Sequence, residues 1–201
     1  NGVLVANKDD KKNNQLILNK KQKTLLYSIK QPEAKKLKKI LKIPGKHNIS
    51  NALATLKVAR VLKIPDRVSF KALSEYKSSW RRFEIIKTKP FIVISDYGHH
   101  PTEIRATLEG AREKYPKKKI WLIYQPHQYQ RTFYLFKDFV RVFRQALRPS
   151  QGKLPVDKII ITDIFDVAGR EDREIKKKVN SEKLAKAVNK NSVAKEDKSS
   201  S

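Results

Sequence analysis

Ile94-Ser95-Asp96-Tyr97-Gly98-His99-His100-Pro101-Thr102-Glu103 joins two different periodicities. The apolar run Phe91-Ile92-Val93-Ile94 enters it and reads as a buried strand. Beyond it, Ile104, Leu108 and Ala111 share one face of a helix. Pro101 suits the first helical position, where a missing N–H costs nothing. A strand that hands over to a helix through Asp, Tyr and two His is the kind of corner at which α/β proteins bind ligands. A purely structural turn has no need of so many titratable side chains.

The same alternation continues outward. A helix Thr102–Lys114 is expected to lead into a strand Ile120–Tyr124, a loop Gln125–Arg131 and a helix Thr132–Leu147. Phe133, Phe136, Val140, Phe143 and Leu147 form that helix's apolar stripe. A loop Pro149–Pro155, a buried strand Lys158–Thr162 and a last helix Ser181–Asn189 follow. This order implies an α/β fold with a mostly parallel sheet. In such a sheet three polar strand ends share one edge. They hold Asp96, Tyr97, His99 and His100; then Gln125, His127, Tyr129 and Arg131; then Asp163, Asp166 and Gly169-Arg170-Glu171.

Upstream, Gly2–Ala6, Leu16–Leu18 and Thr24–Ile29 read as short strands, with a polar turn at Asn7–Asn14. Lys35–Lys42 fits a helical turn or an extended strand. A helix begins near Asn48, after Pro44 and Gly45, with Ile49, Leu53, Leu56 and Ala59 on one stripe. Asn48 and Asn51 are three apart and share its first turn, so two amides can face one base edge. Capping by Asn48 explains one of them. A short helix Val68–Glu75 and a junction around Lys77–Glu84 follow, then strands Phe83–Lys87 and Phe91–Ile94 about a polar turn.

The chain has 201 residues, 39% of them hydrophobic, enough for one large or two small cores. It has no Cys, which fits a reducing cytoplasm and excludes thiolate metal sites. No apolar run approaches a membrane span, so no membrane partner is expected. The formal charge is +26. That balance raises a basic nucleic-acid-binding module as an alternative. Nucleic acid is not the expected partner, because the lysine runs lack interleaved aromatics for stacking. The adjacent histidines also fall short of a metal site, with no tight acidic cluster to complete one. All four histidines, His47, His99, His100 and His127, lie in the segments singled out here.

Four of these segments together resemble the Mur ligases, and their alanine-adding branch in particular. They are Gly45-Lys46-His47-Asn48-Ile49-Ser50-Asn51-Ala52, Arg81-Arg82-Phe83-Glu84, Asp96-Tyr97-Gly98-His99-His100-Pro101-Thr102-Glu103 and Gln125-Pro126-His127-Gln128-Tyr129-Gln130-Arg131-Thr132. The resemblance implies the end of a central ATPase domain over 1–79, a Rossmann-like C-terminal domain over 80–192, and a disordered tail over 193–201. It implies a cytoplasmic, ATP-dependent ligase of peptidoglycan precursor synthesis. UDP-N-acetylmuramate and L-alanine would be joined through an acyl phosphate, which turns a poor electrophile into a good one. The related ligase that recycles murein tripeptide is the alternative within the family.

By the same resemblance, His47, Asn48 and Asn51 line the adenine pocket, Arg82 reaches nucleotide and phosphate oxygens, and Asp96 holds the ribose. Tyr97, His99 and His100 would face the phosphates and the muramoyl substrate, with His99, His100 and Arg82 as catalytic groups. His127 and Arg131 would orient alanine. The chain departs from the family at Ser95, often Asp, and at Gln128, commonly Arg; a neutral amide cannot replace a charged fork. The family's phosphate-cradling glycine-rich loop is not in the sequence, and Gly45-Lys46 and Gly152-Lys153 lack the rest of it. No metal ligand is assigned here, and Mg²⁺ is expected to be held mostly by residues upstream. With Asn1-Gly2 at its start, the chain is expected to be a piece of a longer protein, inactive alone.

Overall fold

The computed structural model describes residues 2–10, 23–87, 89–148, 156–166 and 172–193. The expected strand Leu16–Leu18, the loop Pro149–Pro155, Gly169-Arg170-Glu171 and the tail from 194 onward lie outside these residues. Contacts divide the chain into two compact units, Asn1–Asp96 and Tyr97–Ser201.

The first unit opens with two parallel strands, β1 (Val3–Asn7) and β2 (Lys23–Tyr27), in register Val3 with Lys23. Three helices follow: α1 (Pro32–Ile40), α2 (Lys46–Val61) and α3 (Asp66–Glu75). The ambiguous lysine-rich segment is thus helical through Ile40. Pro32 opens α1 without losing a bond, and Glu33 at its start and Lys38 and Lys39 at its end match the helix dipole. Tertiary burial decided the matter: Ala34 and Leu37 enter a core with Ala52, Leu53 and Leu56. Arg60 clips the helices together, its fork on Asp66 at 2.9 and 2.7 Å and its third nitrogen on Glu33 at 3.0 Å. Glu33's own backbone N–H, and then Arg60, hold its carboxyl below the usual range.

β3 (Glu84–Lys87) and β4 (Ile92–Ser95) close this unit as an antiparallel hairpin, pairing Glu84 with Ser95 and Lys87 with Ile92. Two sequence expectations change here. β4, expected in a parallel sheet, pairs antiparallel with β3. Nor is its run buried: Phe91 is 72% exposed, and Ile92 and Val93 are each 44% exposed. Backbone pairing satisfies a hairpin's polar groups without covering its side chains.

The second unit contains α4 (Pro101–Lys114), β5 (Trp121–Tyr124), α5 (Tyr129–Tyr134), α6 (Phe136–Leu147), β6 (Lys158–Ile161), α7 (Arg173–Lys178) and α8 (Ser181–Val193). β5 and β6 run parallel, Trp121 against Lys158 and Tyr124 against Ile161. Both parallel pairs and the strand–helix alternation make the fold α/β. The core gathers Ile104 and Leu108 of α4, Tyr124 of β5, Phe139, Val142, Phe143 and Ala146 of α6, and Leu184 and Val188 of α8.

The expected helix Thr132–Leu147 is two helices, broken at Leu135. Gln128, at φ 73°, turns the chain so that α5 starts at Tyr129, inside the expected loop. The buried face of α6 is Phe139, Val142, Phe143 and Ala146. Of the expected stripe, Phe143 is buried on this face, while Phe136 and Val140 are half-buried, because large apolar residues occupy more than one side of the helix. α7 was not foreseen, although Asp172 signals it by accepting bonds from the Glu174 and Ile175 N–H groups. Phe139 is fully buried and its ring packs 5.6 Å from Tyr124 and 6.1 Å from Phe143. Phe139→Ala is therefore expected to lower the unfolding free energy by about 3–5 kcal/mol, read from urea midpoints.

Candidate functional site

The residues singled out in the sequence fall into two groups, one in each unit. In the first unit, Gly45 caps α2 at φ 101°, a conformation open to glycine. A Cβ there would lie 2.7 Å from Cε1 of His47, so the glycine also lets the imidazole fold back over the helix start. Asn48 is not the cap. It lies in the first turn, and its amide donates to the Pro44 carbonyl at 2.7 Å. That bond ties the loop before α2 to the helix and leaves the Asn48 carbonyl oxygen as an acceptor. Asn51 follows one turn on and is exposed.

The junction is a tightly bonded turn. Ser78, Arg81 and Phe83 all have positive φ. The Ser78 hydroxyl donates to the Arg82 carbonyl, and the Arg82 N–H donates to Ser79 at 3.0 Å. Buried Phe83 gives its N–H to Asp96 at 2.9 Å. That bond places Asp96, at the end of β4, beside the residue next to Arg82. A cavity of about 320 Å³ lies between the loop before α2 and this turn, lined by Lys42, Pro44, Lys77, Ser79 and Trp80 among others. Trp80 is 80% exposed and Arg81 stacks on its ring. The sequence reading missed Lys42, Lys77 and Trp80 as wall residues; an aromatic beside paired arginines was the available signal.

In the second unit the corner before α4 is a reciprocal cap. Glu103 Oε2 accepts the N–H groups of His99 at 2.9 Å and His100 at 3.1 Å. His100 Nδ1 accepts the Thr102 N–H at 3.2 Å. His100 is thus the N-cap of α4, with its Nδ1 committed to the backbone.

The same cap turns His99 toward Tyr97 and His127. The Tyr97 ring centroid is 5.6 Å from His99 and 6.2 Å from His127, and the two imidazoles are 6.3 Å apart. His127 stacks on Phe165 at 5.3 Å. Phe165 reaches it because β5 and β6 stay paired beyond their ends. Thr162 N–H bonds Tyr124, Phe165 N–H bonds Pro126, and Gln128 N–H bonds Phe165. His127 and Asp163 therefore share a rim, as the parallel pairing requires. Asp163 accepts from the Ser181 hydroxyl at 3.3 Å and so also fixes the start of α8.

Partner chemistry assigns the tautomers. His99 Nδ1 lies 3.2 Å from the Tyr97 carbonyl, which can only accept, so Nδ1 carries a proton and, in the neutral ring, Nε2 holds the lone pair. His127 Nδ1 lies 3.3 Å from Arg131 Nη1, which can only donate, so the proton of neutral His127 sits on Nε2. Arg131 is further held by the His127 carbonyl at 3.2 Å. The pair therefore offers a proton acceptor and a donor side by side, with a guanidinium behind them. Below the rim, burial pushes the Tyr124 hydroxyl up, with the Arg131 charge opposing. Among the described residues, no group of three His, Asp or Glu side chains is placed to hold a metal ion.

Comparison with known proteins adds to this geometry. A family model described as Mur ligase, glutamate ligase domain, matches residues 81–199. The chain is 44% identical over 154 residues to the UDP-N-acetylmuramate–L-alanine ligase of Clostridium acetobutylicum, covering 76% of this chain and 30% of that protein. It is 36% identical over 189 residues to the enzyme of the same name from Aquifex aeolicus, covering 82% and 39%. Among solved structures, MurF from Acinetobacter baumannii aligns with a TM-score of 0.59 at 16% identity, over 80% of this chain and 38% of that one. That likeness is one of fold. The chain spans about a third of the length of the curated relatives it matches.

Two substitutions probe the two groups. Gly45→Ala meets both the positive φ and the His47 ring, and is expected to destabilise the first unit by about 1–3 kcal/mol in urea unfolding. Glu103→Ala leaves two backbone N–H groups without their acceptor and should cost about 1–2 kcal/mol, seen as a lower thermal midpoint with the α4 amides exchanging faster. An unchanged midpoint would mean that the reciprocal cap does not hold the corner.

Proposed function

The chain belongs to the Mur ligases, and from that premise we propose that it serves the ATP-dependent joining of L-alanine to UDP-N-acetylmuramate in peptidoglycan precursor synthesis. In this reading residues 1–79 complete an ATP-binding domain and residues 80–192 form the C-terminal ligase domain. The phosphate loop comes from outside these 201 residues, and the enzyme works in the cytoplasm, where its charged substrates are.

The observation that carries the reading is the cluster of Tyr97, His99, His127 and Arg131 with opposed tautomers. Amide formation through an acyl phosphate needs an amine that has lost its proton and an anion held in place while phosphate leaves. His99 Nε2 can take a proton, His127 Nε2–H can donate to an anionic oxygen, and Arg131 can grip the alanine carboxylate with its remaining donors. Tyr97 sets the spacing between the two rings. His100 contributes by fixing this geometry from the helix cap.

On the nucleotide side, the 320 Å³ cavity offers two lysines, hydroxyls and an exposed indole, a donor set that fits a nucleotide. Asn48 and Asn51, with His47, would read the adenine edge. Asp96, an acceptor held by Phe83, suits ribose hydroxyls, and Arg82 the phosphates. Mg²⁺ would neutralise phosphate charge when bound. Among the described residues no cluster of three His, Asp or Glu is placed to hold it.

Replacing the matching segment of the Clostridium acetobutylicum ligase with this chain tests the reading. Alanine-dependent ATP hydrolysis is expected in the chimera. Arg131→Ala should raise the KM for alanine at least about tenfold with little change in the KM for ATP, and Asp96→Ala should do the reverse. A folded chimera that ignores alanine, or an Arg131 variant with an unaltered KM for alanine, would overturn the assignment.

A further inference from the structure

A further cavity opens in the second unit. It is a groove of about 530 Å³ on the outer side of α6, reaching α8, lined by Phe136, Lys137, Val140, Arg141, Arg144, Gln145, Arg148 and Ala187. Its cations recur at intervals of four, three and four residues, so they form one stripe along α6. At 1.5 Å per residue the stripe is about 16 Å long. No carboxylate is among these lining residues, and Asp138 beside them pairs with Arg141. Lys137, Arg144 and Arg148 have no carboxylate partner among the described residues.

Two of the walls are held rigidly. Arg144 donates to the Ala187 carbonyl at 2.6 Å and the Val188 carbonyl at 3.3 Å, so its head is pinned across the groove on α8. Gln145 is pinned by Arg105 at 2.6 Å. Phe136 and Val140 form an apolar floor against the core. Favourable placement of basic residues at a helix C-terminus accounts for Arg144 and Arg148. It does not account for Lys137 and Arg141 in the first turns.

We propose that this groove binds a small linear oligophosphate, or the oligophosphate portion of a small ligand. The volume is that of a small-molecule site. Four cations against one carboxylate call for several negative charges within about 16 Å, which a phosphate chain supplies more densely than carboxylates do. Guanidinium forks match phosphate oxygens two at a time. The site uses none of the residues assigned to alanine or to the nucleotide, so it stands independently of the ligase reading.

Calorimetric titration of the whole chain with sodium tripolyphosphate, at physiological salt, tests this. Saturable one-to-one binding is expected. The double variant Arg141→Gln with Arg148→Gln should bind at least about tenfold more weakly, with unchanged helicity by circular dichroism; neither side chain bonds α8. Lys117→Gln with Lys119→Gln removes the same charge elsewhere and should bind like the parent. Citrate should bind at least about tenfold more weakly than tripolyphosphate. The proposal fails if the parent shows no saturable binding or if citrate binds equally well. Equal loss in the Lys117/Lys119 variant would mean diffuse attraction to a chain of charge +26. Loss in Arg82→Ala alone would place the phosphates at the junction.

Discussion

One carboxylate holds the centre of the second unit in shape. Glu103 Oε2 gathers the backbone N–H groups of His99 and His100, while His100 Nδ1 closes the first turn of α4 through Thr102. A helix start has several N–H groups without partners, and this arrangement satisfies them from within ten residues of chain. The consequence is positional. With its backbone fixed twice over, His99 has little choice but to lie beside Tyr97 and within 6.3 Å of His127.

The rest of that cluster depends on β5 and β6 staying paired past their formal ends. Phe165 donates its N–H to the Pro126 carbonyl and accepts the Gln128 N–H, which sets it opposite His127, so a residue from the end of β6 becomes the platform for an imidazole from the end of β5. The turn at Gln128 then starts α5, whose Arg131 reaches back to His127. Two histidines that look equivalent in sequence thereby acquire opposite tautomers. The difference lies wholly in what each Nδ1 meets: a carbonyl for His99, a guanidinium for His127. In the proposed chemistry one ring would take a proton and the other would give a hydrogen bond.

Much of the element order was legible because period and punctuation agree. The helix after Pro101, the strand before Gln125, the α2 stripe of Leu53, Leu56 and Ala59, and the parallel pairing of β5 with β6 all follow from local pattern. Where large apolar residues occupy more than one helix face, pattern misled. α6 has Phe136 and Val140 on one side and Phe139, Val142 and Ala146 on another, and their count cannot say which side meets the sheet. The β4 run reads as buried because it is apolar, yet its ladder goes to β3 and Ile92 and Val93 stay exposed. The lysine-rich α1 had no decisive pattern until Leu37 found a core to enter.

By itself, the sequence settled the α/β class, the family and the identity of the residues at the two corners, because each rests on residue type and on spacing over a few positions. Tertiary structure alone decided their roles. That His100 caps a helix while its neighbour faces a histidine from elsewhere in the chain, that Asn48 bonds backward to Pro44, and that Phe165 lies under His127 are all matters of which groups meet. Such meetings arise from packing between distant segments, where a single backbone bond or one positive φ redirects a side chain, and no local periodicity records them.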